Sequence, residues 1–199
     1  MKMLYLLRIY AIIARKIKIV ERAIMENTEK TIRKNYVYKG KILSLRVDDV
    51  CLPNGATAKR EIIEHGGGAC VLYEEKGKIL FVKQYRYAYG EEVLELPAGK
   101  LNAGEDPLLT ARRELEEETG IFCENITFLY EIYPTPGYTN EKLYIYKGND
   151  GKKVDAHLDE DEFLSVLWIE EEKVKKMLLS GEIKDAKTVI ALQRYFLEK

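Results

Sequence analysis

A chain of 199 residues with 46% hydrophobic and 33% charged side chains has room for one substantial core, which excludes a disordered or fibrous protein. Its formal net charge of -1 carries no basic excess, so a nucleic-acid partner is not expected, and an anionic ligand would need a metal and a few placed cations. Cys51, Cys70 and Cys123, with His65 and His157, are too few and scattered for a disulfide framework or a zinc site. They fit incidental thiols in a reducing cytoplasm.

Met1 to Ile24 differs from the rest. Its apolar runs, 3–7 and 10–14, are broken by Arg8, Arg15, Lys16 and Lys18. A bilayer span needs about 20 apolar residues, so no membrane span is expected, and no signal-peptide cleavage site follows. The segment reads as an over-extended start, with translation beginning at Met25; the alternative is an amphipathic membrane-surface segment.

From Thr31 to Leu52 the β-branched and aromatic content predicts strands, with a turn at Lys39-Gly40. Pro53-Asn54-Gly55 predicts a hairpin, because Asn and Gly tolerate the positive φ of tight turns, and Thr57 to His65 returns from it. Residues 25–65 are thus expected to form a small antiparallel β subdomain, followed by a main domain over 66–199. Gly66-Gly67-Gly68 punctuates the chain. Strands are expected over 69–73, 78–85, 93–96, 126–133, 143–146 and 163–169. Helices are expected over 106–119, 170–180 and 185–197. Without a regular βαβ rhythm, the order implies an α+β fold or a mixed-sheet sandwich.

The informative helix is 106–119. Asp106 suits its N-cap, Pro107 its first position and Gly120 its stop. At about 100° per residue, Glu114, Glu117 and Glu118 share one face. Leu108, Ala111 and Leu115 form the apolar stripe beside them, and Glu116 points to solvent. Like charges at i,i+4 cost about 0.2–0.5 kcal/mol, and acids near a helix C-terminus oppose its dipole. A cluster that breaks local rules on one face marks a functional site. Hard divalent cations, Mg²⁺ or Mn²⁺, take such oxygen ligands. Arg113 lies one turn before Glu117, placed to pair with it.

Gly99, five residues, Glu105, seven residues, then Arg113-Glu114-Leu115, Glu117-Glu118 and Gly120-Ile121 resemble the Nudix box at every constrained position. From Met25 to Lys199 the chain is similar to the bacterial ADP-ribose pyrophosphatases of the Nudix hydrolase family. The resemblance implies a Nudix α/β/α sandwich around a mixed sheet. It also implies an N-terminal antiparallel sheet that helps form a homodimer, and Mg²⁺ as cofactor with Mn²⁺ as a substitute. By the same resemblance, Glu114, Glu118 and the Ala98 carbonyl are metal ligands, and Glu117 is a further metal or water contact. Arg113 and Glu105 support them, and Gly99 and Gly120 permit tight turns at either end.

The resemblance also assigns flanking residues. Arg86, ending Gln84-Tyr85-Arg86, would contact substrate phosphates. Gly137 and Tyr138 belong to a Pro-Gly-aromatic loop, and Glu141 follows as a substrate contact. In the acidic run 159–162, Glu160 best matches the general base and Glu162 a metal ligand, with the register open. Tyr36, Tyr38 and Tyr138 are candidates for stacking on adenine, with core packing the bland alternative. The implied reaction is hydrolysis of ADP-ribose to AMP and ribose 5-phosphate. Another nucleoside diphosphate derivative (NADH, GDP-mannose) is the first alternative. A non-catalytic nucleotide-sensing module is disfavoured by the intact glutamates, and an RNA substrate by the near-neutral charge.

Overall fold

A computed structural model describes residues 10, 13–18, 27–158 and 162–199. The chain divides into two units, Met1–Glu64 and His65–Lys199.

In the first unit, residues 13–18 are helical, and β1 (Lys30–Arg33), β2 (Tyr36–Lys39), β3 (Leu43–Cys51) and β4 (Thr57–His65) form a four-stranded sheet. The long β3 organises it, pairing antiparallel with β1 from Lys30↔Cys51 and with β2 from Tyr36↔Arg46, and pairing also with β4. The hairpin expected at Pro53-Asn54-Gly55 is present, with Gly55 at φ 85 and its N–H donating to the Leu52 carbonyl.

The second unit is built on a seven-stranded mixed sheet with helices on both faces, and carries a separate two-stranded sheet. Its elements are β5 (Gly68–Glu75), β6 (Lys78–Arg86), β7 (Glu91–Glu95), β8 (Ala98–Lys100), α1 (Pro107–Thr119), β9 (Ile121–Phe122), β10 (Ile126–Ile132), β11 (Leu143–Gly148), β12 (Lys152–Lys153), β13 (Leu164–Glu170), α2 (Glu171–Ser180) and α3 (Ala186–Leu197). The main order is β10-β11-β5-β6-β13. The sheet is mixed because β11 runs parallel to β5, from Leu143↔Gly68 to Gly148↔Tyr73, among antiparallel pairs. β5 and β6 pair only at their shared turn, Glu74↔Ile79 and Glu75↔Lys78. Beyond it β7 pairs with β6 and β8 with β5, so the segment that carries the site fills the gap between the two strands.

Successive side chains of a strand point to opposite faces, and β5 is buried on both. Ala69, Val71 and Tyr73 pack with Ala111 and Leu115 of α1, while Cys70 and Leu72 pack with Val174 and Met177 of α2 and with Ala191, Leu192 and Tyr195 of α3. Two covered faces explain why β5 reads as an unbroken apolar run. This is the α/β/α sandwich implied by the box. Three strands were not expected: β8, β9 and β12. Each has only two or three residues, too few to signal a strand, and β8 and β12 are also of low strand propensity, so each is defined by the partner that pairs with it. No helix of the described residues is long and apolar enough to cross a membrane.

Candidate active site

Local chemistry sets the limits of α1. The Asp106 carboxylate accepts a hydrogen bond from the Leu108 N–H at 2.8 Å, and Pro107 takes the first turn. Gly120 ends the helix at φ 65, where a Cβ would lie 2.6 Å from the Val154 carbonyl oxygen. The chain beyond returns to this end. The Val154 N–H donates to the Gly120 carbonyl at 2.9 Å and the His157 N–H to the Glu117 carbonyl at 3.0 Å, satisfying acceptors that a helix end leaves open.

Ala111 and Leu115 are fully buried against β5. That fixes the roll of the helix and carries Glu114 and Glu118 inside, 7% and 4% exposed. Glu117 and Glu116 are half-buried, so Glu116 is not the fully solvated residue expected. Arg113 gathers the neighbouring carboxylates: Nη1 lies 2.7 Å from Glu114 Oε1 and 2.9 Å from Glu117 Oε2, and Nε lies 3.2 Å from Glu105 Oε1. The expected Arg113–Glu117 pair is present, within a wider network.

These surroundings set the charges. Bonding to Arg113 holds the Glu105 carboxyl down at about 2. Burial pushes Glu114 up to about 7, against the pull of Arg113, with the charges of Glu117 and Glu162 adding to the rise. Burial pushes Glu118 up to about 8, opposed by the Ala98 N–H and reinforced by Glu114 and Glu162. For Arg113, burial opposes the charge, yet Glu105, Glu114 and Glu117 raise its pKa above the ordinary arginine range.

Ala98 reaches this cluster through β8. It pairs with Cys70 of β5, and its N–H donates to Glu118 Oε2 at 2.9 Å. Gly99 corrects an expectation. Its φ is not positive and it makes no tight turn. It lies in β8, where a Cβ would overlap the Glu114 carboxyl group. Glycine is needed there for close approach, not for backbone freedom.

Arg86 ends β6 and grips Glu95 of β7, with Nε 2.5 Å from Oε1 and Nη2 2.9 Å from Oε2. The charge of Glu118 also acts on it. Glu95 went unnoticed in the sequence, as did its second cation, Lys187 of α3, whose Nζ lies 2.5 Å from Glu95 Oε2. One signal was available: Lys187 sits in the first turn of a helix, where a cation opposes the dipole.

The remaining candidates lie elsewhere. Gly137 has open space where a Cβ would be, and Tyr138 is exposed. Glu141 Oε1 lies 3.3 Å from His65 Nδ1, and its N–H bonds Thr139 Oγ1. No hydrogen bond or ion pair joins Gly137, Tyr138 or Glu141 to the helix carboxylates among the described residues. Glu160 lies outside the described residues, and Glu162 acts on Glu114 and Glu118 through its charge. Tyr36 and Tyr38 are exposed on β2 of the first unit, so core packing does not account for them.

The site suits a hard divalent cation. Among the described residues no three acidic, histidine or cysteine side chains are already gathered for one, because Arg113 draws Glu114 and Glu117 while Ala98 holds Glu118. Yet Glu114 and Glu118 are buried carboxylates with pKa values near neutrality, and a cation bound beside them would offset their desolvation. Hard carboxylate oxygens are the donors such an ion prefers.

Comparison with known proteins agrees with this chemistry. The NUDIX domain model matches residues 64–192, and the nucleoside diphosphate sugar hydrolase N-terminal domain matches residues 29–63. The chain is 42% identical over 168 residues to an ADP-ribose pyrophosphatase of Bacillus subtilis, covering 83% of this chain and 91% of that one. It is 43% identical over 174 residues to a methanol dehydrogenase activator of Bacillus methanolicus, covering 86% and 94%. The crystal structure of an ADP compounds hydrolase shares the fold, with a TM-score of 0.75 at 21% identity over 86% of this chain and 95% of the other.

Proposed function

Because the chain belongs to the Nudix hydrolase family, we propose that it hydrolyses the pyrophosphate of ADP-ribose to AMP and ribose 5-phosphate. The observation that carries this reading is the buried Glu114–Glu118 pair beside Ala98 and Gly99. The substrate rests on the relatives of similar length named ADP-ribose pyrophosphatase.

Glu114, Glu118, the Ala98 carbonyl and Glu162 would hold Mg²⁺, with Mn²⁺ as a substitute. When bound, the cation supplies positive charge against the pyrophosphate oxygens, which otherwise repel a nucleophile. Arg113 orients Glu114 and Glu117 by charge-assisted bonds, and Glu105 holds Arg113 in turn. A carboxylate of the acidic loop, Glu160 in preference to Glu162, takes the proton from the attacking water. As the water oxygen bonds to one phosphorus, its bond to the bridging oxygen breaks and that oxygen leaves with the other phosphate. Arg86 binds the phosphates and stabilises the charge that develops there. Tyr138, the Gly137 turn and Glu141 would contact the nucleoside or ribose end.

The domain assignment follows the same reading: residues 25–65 serve dimerisation and 66–199 catalysis, with 1–24 an extension. Exposed Ile32, Tyr36, Val37, Tyr38 and Ile42 in the first unit support a homodimer; action in the cytoplasm is proposed from the resemblance alone. Kinetics with ADP-ribose, NADH, NAD⁺ and GDP-mannose in Mg²⁺ test the substrate. The highest kcat/KM is expected for ADP-ribose, and a clear preference for another member of the panel overturns the substrate while leaving the reaction class.

A further inference from the structure

We propose that Lys187, at the start of α3, is a positioning residue for Arg86, acting through the carboxylate of Glu95 that the two cations share. This rests on the reading of Arg86 as the phosphate contact.

Four side chains form a chain of alternating charge. Arg86 binds both oxygens of Glu95, at 2.5 and 2.9 Å. Lys187 Nζ shares Glu95 Oε2, at 2.5 Å, and lies 3.1 Å from Asp185 Oδ1. The side chains of Glu95 and Lys187 are 4% and 11% exposed, whereas Arg86 is 42% exposed. The chain is therefore anchored inside the domain and opens to solvent at the guanidinium. The bidentate grip uses Nε and Nη2 of Arg86 and fixes the plane of the fork, leaving the Nη1 side to meet an anion.

The charges decide what that edge can attract. A buried carboxylate bound to one arginine would largely cancel it. Here Glu95 is divided between two cations, so it cancels less of the positive charge at the open end of Arg86. Asp185 balances Lys187 on the far side, and Thr188 locks that arrangement. Its Oγ1 donates to Asp185 Oδ2 at 2.6 Å and accepts from the Leu96 N–H at 2.9 Å. The first turn of α3 thus holds both the side chain of residue 95 and the backbone of residue 96, two positions before Ala98. An uncharged residue at 187 would leave the local sum of Arg86, Glu95 and Asp185 negative, facing a substrate that is itself an anion.

The test is a double-mutant cycle read in ADP-ribose kinetics with Mg²⁺. Lys187→Met is expected to raise KM about tenfold or more and to lower kcat by a smaller factor, since a misplaced Arg86 loses its hold on the phosphates and part of its stabilisation of the developing charge. Arg86→Gln is expected to raise KM at least as much. In the double variant Lys187→Met should add less than about twofold to the Arg86→Gln effect, because residues that act as one unit are not additive. If Lys187→Met multiplies the Arg86→Gln effect, or leaves KM unchanged while Arg86→Gln raises it, the inference fails. If Arg86→Gln itself leaves KM unchanged, the phosphate reading fails instead. Should Lys187→Met not fold, Asp185→Asn decides: it keeps the helix cap and frees Lys187 for Glu95, so KM should equal or fall below the wild-type value. An increase of about tenfold overturns the proposal.

Discussion

A Cβ on Gly99 would occupy the space that the Glu114 carboxyl group fills. Strand β8 and helix α1 approach that closely only because the strand has no side chain at this point. Gly99→Ala should push Glu114 aside, and displacements of about 1 Å cost about 100-fold in turnover at a preorganised site. We expect kcat to fall by at least that factor with an unchanged far-ultraviolet circular dichroism spectrum. Activity within about threefold of wild type would mean that Glu114 has no fixed place in catalysis.

Glu118 is buried, with its pKa raised from 4.5 to about 8, so between these values the metal-free domain binds a proton that the unfolded chain lacks, and above them it holds a poorly solvated charge; both cost stability. Glu118→Gln keeps the acceptor for the Ala98 N–H and removes that charge. Turnover should fall at least about 100-fold, while the melting temperature without metal stays level or rises. Wild-type protein should gain thermal stability with Mg²⁺, by about 2.7 kcal/mol at a concentration 100 times the dissociation constant. EDTA should abolish both that gain and activity, and Glu118→Gln should lose most of the gain. Calorimetry with and without Mg²⁺ reads all of this, and an undiminished Mg²⁺ gain in the variant would remove Glu118 from the ligand set.

Glu105 gives a pH dependence of definite sign. Its carboxyl falls from an ordinary 4.5 to about 2 through its bond to Arg113. A depressed carboxylate contributes stability that is fully present above the unfolded value and is lost as pH falls through the folded one. Wild type should exceed Glu105→Gln in melting temperature above pH 4.5, and the gap should close as pH approaches 2. Thermal melts across this range check it. A gap that widens on acidification contradicts the Arg113–Glu105 bond.

What was legible in the sequence was local. Asp106, Pro107 and Gly120 delimit α1 from within a few residues, and its glutamates fall on one face by spacing alone. The strand over 69–73 was visible, though not the burial of both its faces. Pairings set by distant chain were not visible. Glu95 and Lys187 are 92 positions apart, and nothing in either neighbourhood names the other. β8 has no strand signal because Cys70 and Gly68 create it by pairing. Gly99 looked like a turn residue, since a sequence shows that a side chain is missing without showing what fills the space.

Strand β5 carries β8 along one edge and β11 along the other, and α1 rests on its face. Ala98 and the helix glutamates are therefore held by the same eight residues that found the sheet. The domain has no route to loosening its chemistry while keeping its scaffold. Under urea, turnover and the fluorescence of Trp168, on β13 of the same sheet, should vanish together along a single sigmoid, so this unit would fail all at once rather than by degrees.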